Sequence, residues 1–364
     1  MARGHRPGAS AAGRSGLVRS PRAAPILPVP RHFQIVLSTS LRSGRRAGGR
    51  GEEVAGSVIL GEVDVEALTL RVHRQIDLPQ SPHLPGRSSA RGVAAFAGGI
   101  AACNTSQLFL LDRELTRVLG CYSEPRFGDL HSVAARNGEL FVTATASDCV
   151  IGVDRGLRRT YEWWAGSEAV LEPYIRDWQR ERIGAGHDFR GDANPGARFH
   201  MNHVCFNPAG DLLVNLPGMA YKEGKSRVFN VTRGEFLFGG RPVPRAIRGR
   251  IHDGISLARH HYLCRTATGH FLKLETATGC VVAEVDCSVP LPETTGDPLA
   301  LQHGWLRGAA HLHDEVFLVG QSRLTLFAVD MAARTRSRPL TVLGAAGDLA
   351  DPGLAIYAIQ RLDG

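Results

Sequence analysis

Lysine is almost missing from this 364-residue chain, with 3 Lys against 40 Arg, and aromatic residues reach only 7%. No Cys-x-x-Cys pair occurs among Cys103, Cys121, Cys149, Cys205, Cys264, Cys280 and Cys287. Scattered cysteines in a chain of this size exclude a disulfide framework and a Cys-type zinc site, and make a reducing, cytoplasmic compartment the expectation. No apolar run approaches the length of a membrane span, so no membrane partner is expected. The first fifty residues lack acid altogether and hold ten Arg, so the formal charge of +8 belongs to them, leaving the remainder at about −2. Residues 1–31 are expected to be a disordered Arg-rich tail without a signal-peptide core, of the composition that a high-GC bacterial gene with an over-extended start would encode. The body has no basic stripe with interleaved aromatics, which excludes a nucleic-acid groove. Neither a nucleotide-binding Gly loop nor a Gly-x-Ser-x-Gly elbow is present.

What is present is glycine, 42 residues, proline, 20 residues, and short apolar runs punctuated by turns. That favours many short strands over helices. From residue 91 one unit recurs about every 40 residues, the period of a four-stranded propeller blade. Each unit is an apolar strand, a tight turn, a second apolar strand, a polar connection and a third strand. Units open at Arg91, His131, Asn202, His252 and Arg307, and Asn137-Gly138 is a two-residue hairpin signal. Third strands close on Asp112, Asp154, Glu275 and Asp330, acids expected to serve turns. Segments 161–164, 280–285 and 338–343 supply fourth strands. Segments 33–37, 57–61 and 68–76 supply one more blade, and 354–357 is a lone strand suited to closing a ring. The pattern predicts an all-β chain with a six-bladed β-propeller over 32–364, seven blades being the alternative. Insertions fall at about 166–199, with a short helix over 172–182, and at about 288–305.

The chemistry stands at the heads of the first strands, which in a propeller surround one channel. Arg91, His131, His200, Asn202, His203, His252 and Arg307 occupy those positions, and the 288–305 loop adds His303. Three imidazoles, His131, His203 and His252, suit a divalent metal ion such as zinc or iron. Equally, His131, His200, Asn202 and His252 suit acid, base or nucleophile work while Arg91, Arg307 and His303 hold an anionic substrate. The bland alternative is that these groups bond to neighbouring carbonyls and brace the channel. His187, Asp188 and Asp192 are expected in a solvated loop, and His260, His261, His311 and His313 at the surface or a strand edge. Trp163-Trp164 is expected between blades.

The units 129–132 (Asp-Leu-His-Ser), 199–206 (Phe-His-Met-Asn-His-Val-Cys-Phe), 252–254 (His-Asp-Gly), 305–310 (Trp-Leu-Arg-Gly-Ala-Ala) and 316–323 resemble an uncharacterised bacterial family of predicted propeller proteins, over roughly residues 90–345. That resemblance implies the fold and no established activity. More distantly, His200 and Asn202 are similar to the His-x-Asn pair of aryl sulfotransferase propellers. This chain reads Asn215-Leu-Pro-Gly218 where that family carries an Arg. Gluconolactonase-like propellers hold calcium with Glu, Asn and Asp, a poor match to a mouth rich in His. The expectation is an enzyme acting on a small, anionic molecule at the channel mouth, by metal-dependent chemistry or His-based group transfer or hydrolysis. The alternative is a non-catalytic propeller that recognises a protein or ligand.

Overall fold

The computed structural model describes residues 30–41, 56–84, 89–192, 199–219, 225–243, 251–266, 268–289, 306–321, 324–344 and 354–363. Apart from Pro30 and Arg31, the predicted tail 1–31 lies outside them, as do His303 and most of the 288–305 loop. Residues 31–364 form one compact unit.

Six small sheets form a ring, a six-bladed β-propeller. The second blade runs outward from Val93–Phe96 through Gly99–Cys103 and Leu108–Leu111 to Val118–Tyr122. The third begins at Leu130–Arg136, the fourth at Val204–Phe206, the fifth at Ile251–Leu257 and the sixth at Leu306–His313. The first blade takes three strands from one end of the chain, His32–Leu41, Ser57–Asp64 and Thr69–Asp77. Its innermost strand, Leu354–Arg361, comes from the other end and pairs antiparallel with His32–Leu41. This is the ring closure that the lone strand at 354–357 predicts.

One expectation is corrected at the sixth blade. The segment 338–343 was expected as its fourth strand, but Thr335–Arg336 takes that place. Thr341–Leu343 instead pairs in parallel with Thr69–Arg71 of the first blade. Ala332 and Ala333 bond their N–H groups to the Asp330 carboxylate, so the turn is tight and the next strand pairs before Arg338.

Strand alternation builds the core. Phe33, Ile35 and Leu37 pack against Leu312, Leu318 and Leu326 of the sixth blade, while Val36, between them, faces Val93 and Ile100 of the second. Successive side chains of one strand thus serve opposite faces, and each pair of adjacent blades encloses its own apolar cluster. Each large aliphatic side chain buried there stabilises the fold by about 1.5–3 kcal/mol. Asn137-Gly138 turns with both φ values positive, at 51° and 79°, as a two-residue hairpin requires. Asp112 and Asp154 each accept backbone N–H bonds from the turn that follows. Trp163 stacks on Phe229 of the fourth blade at 5.8 Å.

The 166–199 insertion holds the short helix Asp177–Gly184 after a 3-10 turn at Glu172–Tyr174. Buried Asp148 ties it to the third blade by accepting from Gln179 Nε2 at 2.9 Å and from the Phe199 amide at 3.3 Å. His187 and Asp192 pair with each other at 3.1 Å, and Asp188 caps the turn at Arg190. His261, expected at the surface or a strand edge, is fully buried between the fourth and fifth blades; its partner position on the inner strand brings Ser256 Oγ within 2.8 Å of Nδ1.

Candidate functional site

Three of the first strands carry an irregularity at the same depth. Pairing slips by one residue between Leu130 and Val133, between His252 and Ile255, and between Leu306 and Ala309. In each case the two intervening residues face a single partner, which is a β-bulge, a device that re-aims side chains. Regular pairing resumes at Val93 in the second blade and at Val204 in the fourth. Aligned on that point, Arg91, His131, Asn202, Asp253 and Arg307 are equivalent, and the residues after them are Gly92, Ser132, His203, Gly254 and Gly308. The closing strand slips at Tyr357, which lies between the pairs Ile356 with Thr39 and Ala358 with Ser38. Five blades thus fill one ring position, and the Tyr357 side chain, one place later in register on the closing strand, joins them at the mouth.

Much of this ring laces one blade to the next. Ser38 Oγ donates to the Arg91 carbonyl. Arg91 Nη1 donates to Asp129 Oδ1 at 2.6 Å and to the Leu130 carbonyl at 2.8 Å, and its Nε donates to Ser89 Oγ at 2.8 Å. Thr145 Oγ1 donates to the Met201 carbonyl at 2.6 Å. Asn202 Nδ2 donates to the Ile251 carbonyl at 2.8 Å, and Asn215 Nδ2 to the Asp253 carbonyl at 2.7 Å. Asp253 Oδ2 accepts from the Gly308 amide at 2.8 Å. The glycines let the backbones approach: a Cβ on Gly92 would stand 2.4 Å from the Val133 nitrogen.

What remains faces a cavity of about 300 Å³ along the channel, lined among others by His131, Asn202, His252, Asp253 and Tyr357. The His131 tautomer follows from its neighbours. Both protons of Arg91 Nη1 go to Asp129 and Leu130, so its 3.0 Å approach to His131 Nδ1 is no donation. The Asp129 carbonyl, 2.7 Å from Nδ1, can only accept. Nδ1 is therefore protonated and Nε2 carries the lone pair. His203 is different, because both its nitrogens are engaged, Nε2–H by the Gly254 carbonyl at 3.0 Å and Nδ1 by Ser132 Oγ at 3.3 Å. Metal coordination by His131, His203 and His252 would break one of those bonds, and among the described residues no group of three His, Cys, Asp or Glu is arranged to hold a metal ion.

Among the buried atoms at this mouth, Asn202 Oδ1, His252 Nε2 and Tyr357 Oη have no protein partner. The Tyr357 ring sits amid the cluster, with centroids 5.8 Å from His131 and 5.7 Å from His252, and the Arg307 guanidinium lies 4.7 Å over it. His200, half-buried and at φ 50°, lies against His131 at 5.0 Å.

Burial and the guanidiniums set the charges. Burial, then Arg307, drives His252 well below the ordinary imidazole range. Burial, reinforced by Arg91 and opposed by Asp129, does the same to His131. His203 falls to about 4 through burial, opposed by its bond to Gly254. Burial would raise Asp129, but the Arg91 guanidinium holds it down at about 2. At Asp253 burial wins, and the carboxyl is pushed up to about 7 against the Gly308 amide and Arg307. The site thus holds the neutral imidazoles of His131, His203 and His252, the Arg91–Asp129 ion pair, the Arg307 guanidinium and the Asp253 carboxyl pushed up to about 7.

The structure brings Arg91, His131, His200, Asn202, His203, His252 and Arg307 to one mouth. Sequence reasoning missed Asp253 and Tyr357. Aligning the units on the apolar residue that follows each head would have put Asp253 in register, whereas Tyr357 stands one place off that alignment, at the bulge of the closing strand, and no repeat signal points to it.

No family model and no curated protein matches this chain. Solved structures do. A protein of unknown function from Bacteroides caccae superposes with a TM-score of 0.54 at 12% identity, covering 91% of this chain and 100% of that one. A nidogen/laminin complex gives 0.52 at 9% identity, covering 91% and 98%. Streptogramin B lyase gives 0.45 at 10% identity, covering 74% and 72%, too distant to carry an argument. The first two likenesses show the propeller fold alone.

Proposed function

We propose that this propeller is an enzyme that acts on a small, anionic molecule in its central channel, with His131 as the proton acceptor. The observation that carries the reading is the freed Nε2 of His131, whose ring is pinned through Nδ1–H to the Asp129 carbonyl and which borders the same cavity as the unpartnered Asn202 Oδ1, His252 Nε2 and Tyr357 Oη. A base oriented by a second group is the common logic of acid–base and nucleophilic sites. Its low basicity is a consequence of burial beside Arg91, and a bound anion would offset that cation. Asn202 and His252 contact substrate, and the charge of Arg307 favours its anionic group. Hydrolysis, elimination and group transfer, including the sulfuryl transfer that the His200 and Asn202 resemblance implies, all need such a proton acceptor.

The test begins with a product screen of the purified protein against small acids, esters and lactones, followed by His131→Asn, which keeps a donor toward the Asp129 carbonyl and removes Nε2. Turnover should fall about 10²–10⁴-fold with the fold retained. A variant within a few-fold of wild type refutes the assignment. A recognition module is the second reading, favoured by the number of ring groups already engaged in lacing blades, namely Arg91, Asn202 Nδ2, His203 and Asn215. Under it, ligand or protein binding survives His131→Asn and no turnover is found.

A further inference from the structure

Three hydroxyls at the ring have already spent their protons. Ser38 Oγ donates to the Arg91 carbonyl, and Thr145 Oγ1 to the Met201 carbonyl at 2.6 Å. Ser132 Oγ donates to His203 Nδ1 at 3.3 Å, because the Nε2–H of that ring is given to the Gly254 carbonyl. The Tyr357 hydroxyl differs. Its side chain lines the cavity and is buried, and Oη has no protein partner, although a buried phenol ordinarily finds one. The ring is set between two imidazoles, with centroids 5.8 Å from His131 and 5.7 Å from His252. The guanidiniums of Arg307 and Arg91 lie 4.7 Å and 5.8 Å from its centroid. Burial, aided by Asp129 and Cys103, lifts the phenol above its ordinary range against the pull of the two guanidiniums, so the proton is held at neutral pH.

We infer that Tyr357 is a catalytic proton donor, the counterpart of His131, and that its phenol protonates the oxygen that leaves the substrate. The inference rests on the channel being an enzyme's site with His131 as the proton acceptor. Other groups of the ring suit the role less. Asn202 Oδ1 can only accept, its Nδ2 being bonded to the Ile251 carbonyl, and His131 Nε2 accepts as well. A neutral imidazole such as His252 would become an imidazolate, a far stronger base than a phenolate, and Asp253 holds the Gly308 amide through Oδ2. In a hydrolysis, His131 Nε2 takes a proton from water as the water oxygen bonds to the substrate. The bond to the leaving oxygen breaks with its electron pair, and that oxygen takes the Tyr357 proton. Imidazolium and phenolate remain, and passage of one proton between them restores both. The phenolate forms beside two guanidiniums, which favour its charged form.

Matched ethyl and 4-nitrophenyl esters of acetic, lactic and succinic acids, assayed with the full chain, test this, because 4-nitrophenolate leaves without a proton and ethoxide does not. Tyr357→Phe removes Oη and keeps the ring. It should slow the ethyl ester about 10²–10⁴-fold and the 4-nitrophenyl ester only a few-fold. His131→Asn should slow both. The ratio of the two rates is read within each variant, so it does not depend on how much of that variant folds. Equal slowing of both esters in Tyr357→Phe, or slowing of neither, overturns the inference and leaves His131 standing. The same split appearing in Asp253→Asn instead gives the role to that carboxyl and overturns it too. Unchanged rates in His131→Asn, or no ester of the panel turned over, overturn the acid–base reading of the channel as well.

Discussion

Replacing Asp253 by Asn should remove one contribution to the pH dependence of the protein's stability, in a window fixed by one buried carboxyl. Asp253 is 5% exposed, stands at φ 55° on the bulge of the fifth blade, and bonds the sixth blade through the Gly308 amide. Burial raises its carboxyl from the ordinary 3.8 to about 7. Below the ordinary value, folded and unfolded chains both hold the proton. Between the two values the unfolded chain has released it and the fold still binds it, so the wild type loses stability as pH rises, and above about 7 the loss is complete. A gap of roughly three pH units corresponds to about 4 kcal/mol. The variant keeps an acceptor for the Gly308 amide and removes the titration. Urea unfolding of both proteins across this range should therefore give a stability difference, variant minus wild type, that climbs by about 4 kcal/mol from pH 4 to pH 7 and then levels. The buried histidines, which destabilise the fold as pH falls, affect both proteins alike and cancel in the difference. A difference that stays flat across the window would refute the reasoning, because it would mean that the carboxyl ionises in the fold as easily as in water.

Two further outcomes concern the lacing of the blades. Arg91→Met leaves the buried Asp129 carboxylate without its cation and should cost about 3–5 kcal/mol in urea unfolding, most of it recovered in the double variant Arg91→Met with Asp129→Asn. Gly92→Ala drives a methyl against the Val133 nitrogen at 2.4 Å and the Ser132 carbonyl carbon at 2.7 Å, backbone atoms that cannot turn aside. A loss of about 3 kcal/mol is expected in thermal unfolding, whereas Gly184→Ala, with nothing within 4 Å at a helix end, should be neutral or slightly stabilising.

The blades were legible because they depend on local chemistry. Alternating apolar residues specify strands, Asn137-Gly138 and the acids at Asp112 and Asp154 specify turns, and the recurrence of these features specifies a ring. Where local signals ran out, the chain partner was decided by distance in space: Thr341–Leu343 joined the first blade because its own blade had already been completed by Thr335–Arg336. His261 shows the same limit, since a histidine beside a turn is exposed or buried according to what the neighbouring blade places over it.

The repeat carries its own alignment, so the scaffold and the heads of the inner strands at Arg91, His131, Asn202 and Arg307 were readable from residue order alone. Which nitrogen of His131 is free, that both nitrogens of His203 are engaged, that Asp253 rather than its neighbour holds the ring position, and that Tyr357 from the far end of the chain joins the ring emerged with the tertiary fold. Those outcomes depend on bulge register and on partners in adjacent blades, tens of residues away in sequence, whose distances no local pattern encodes.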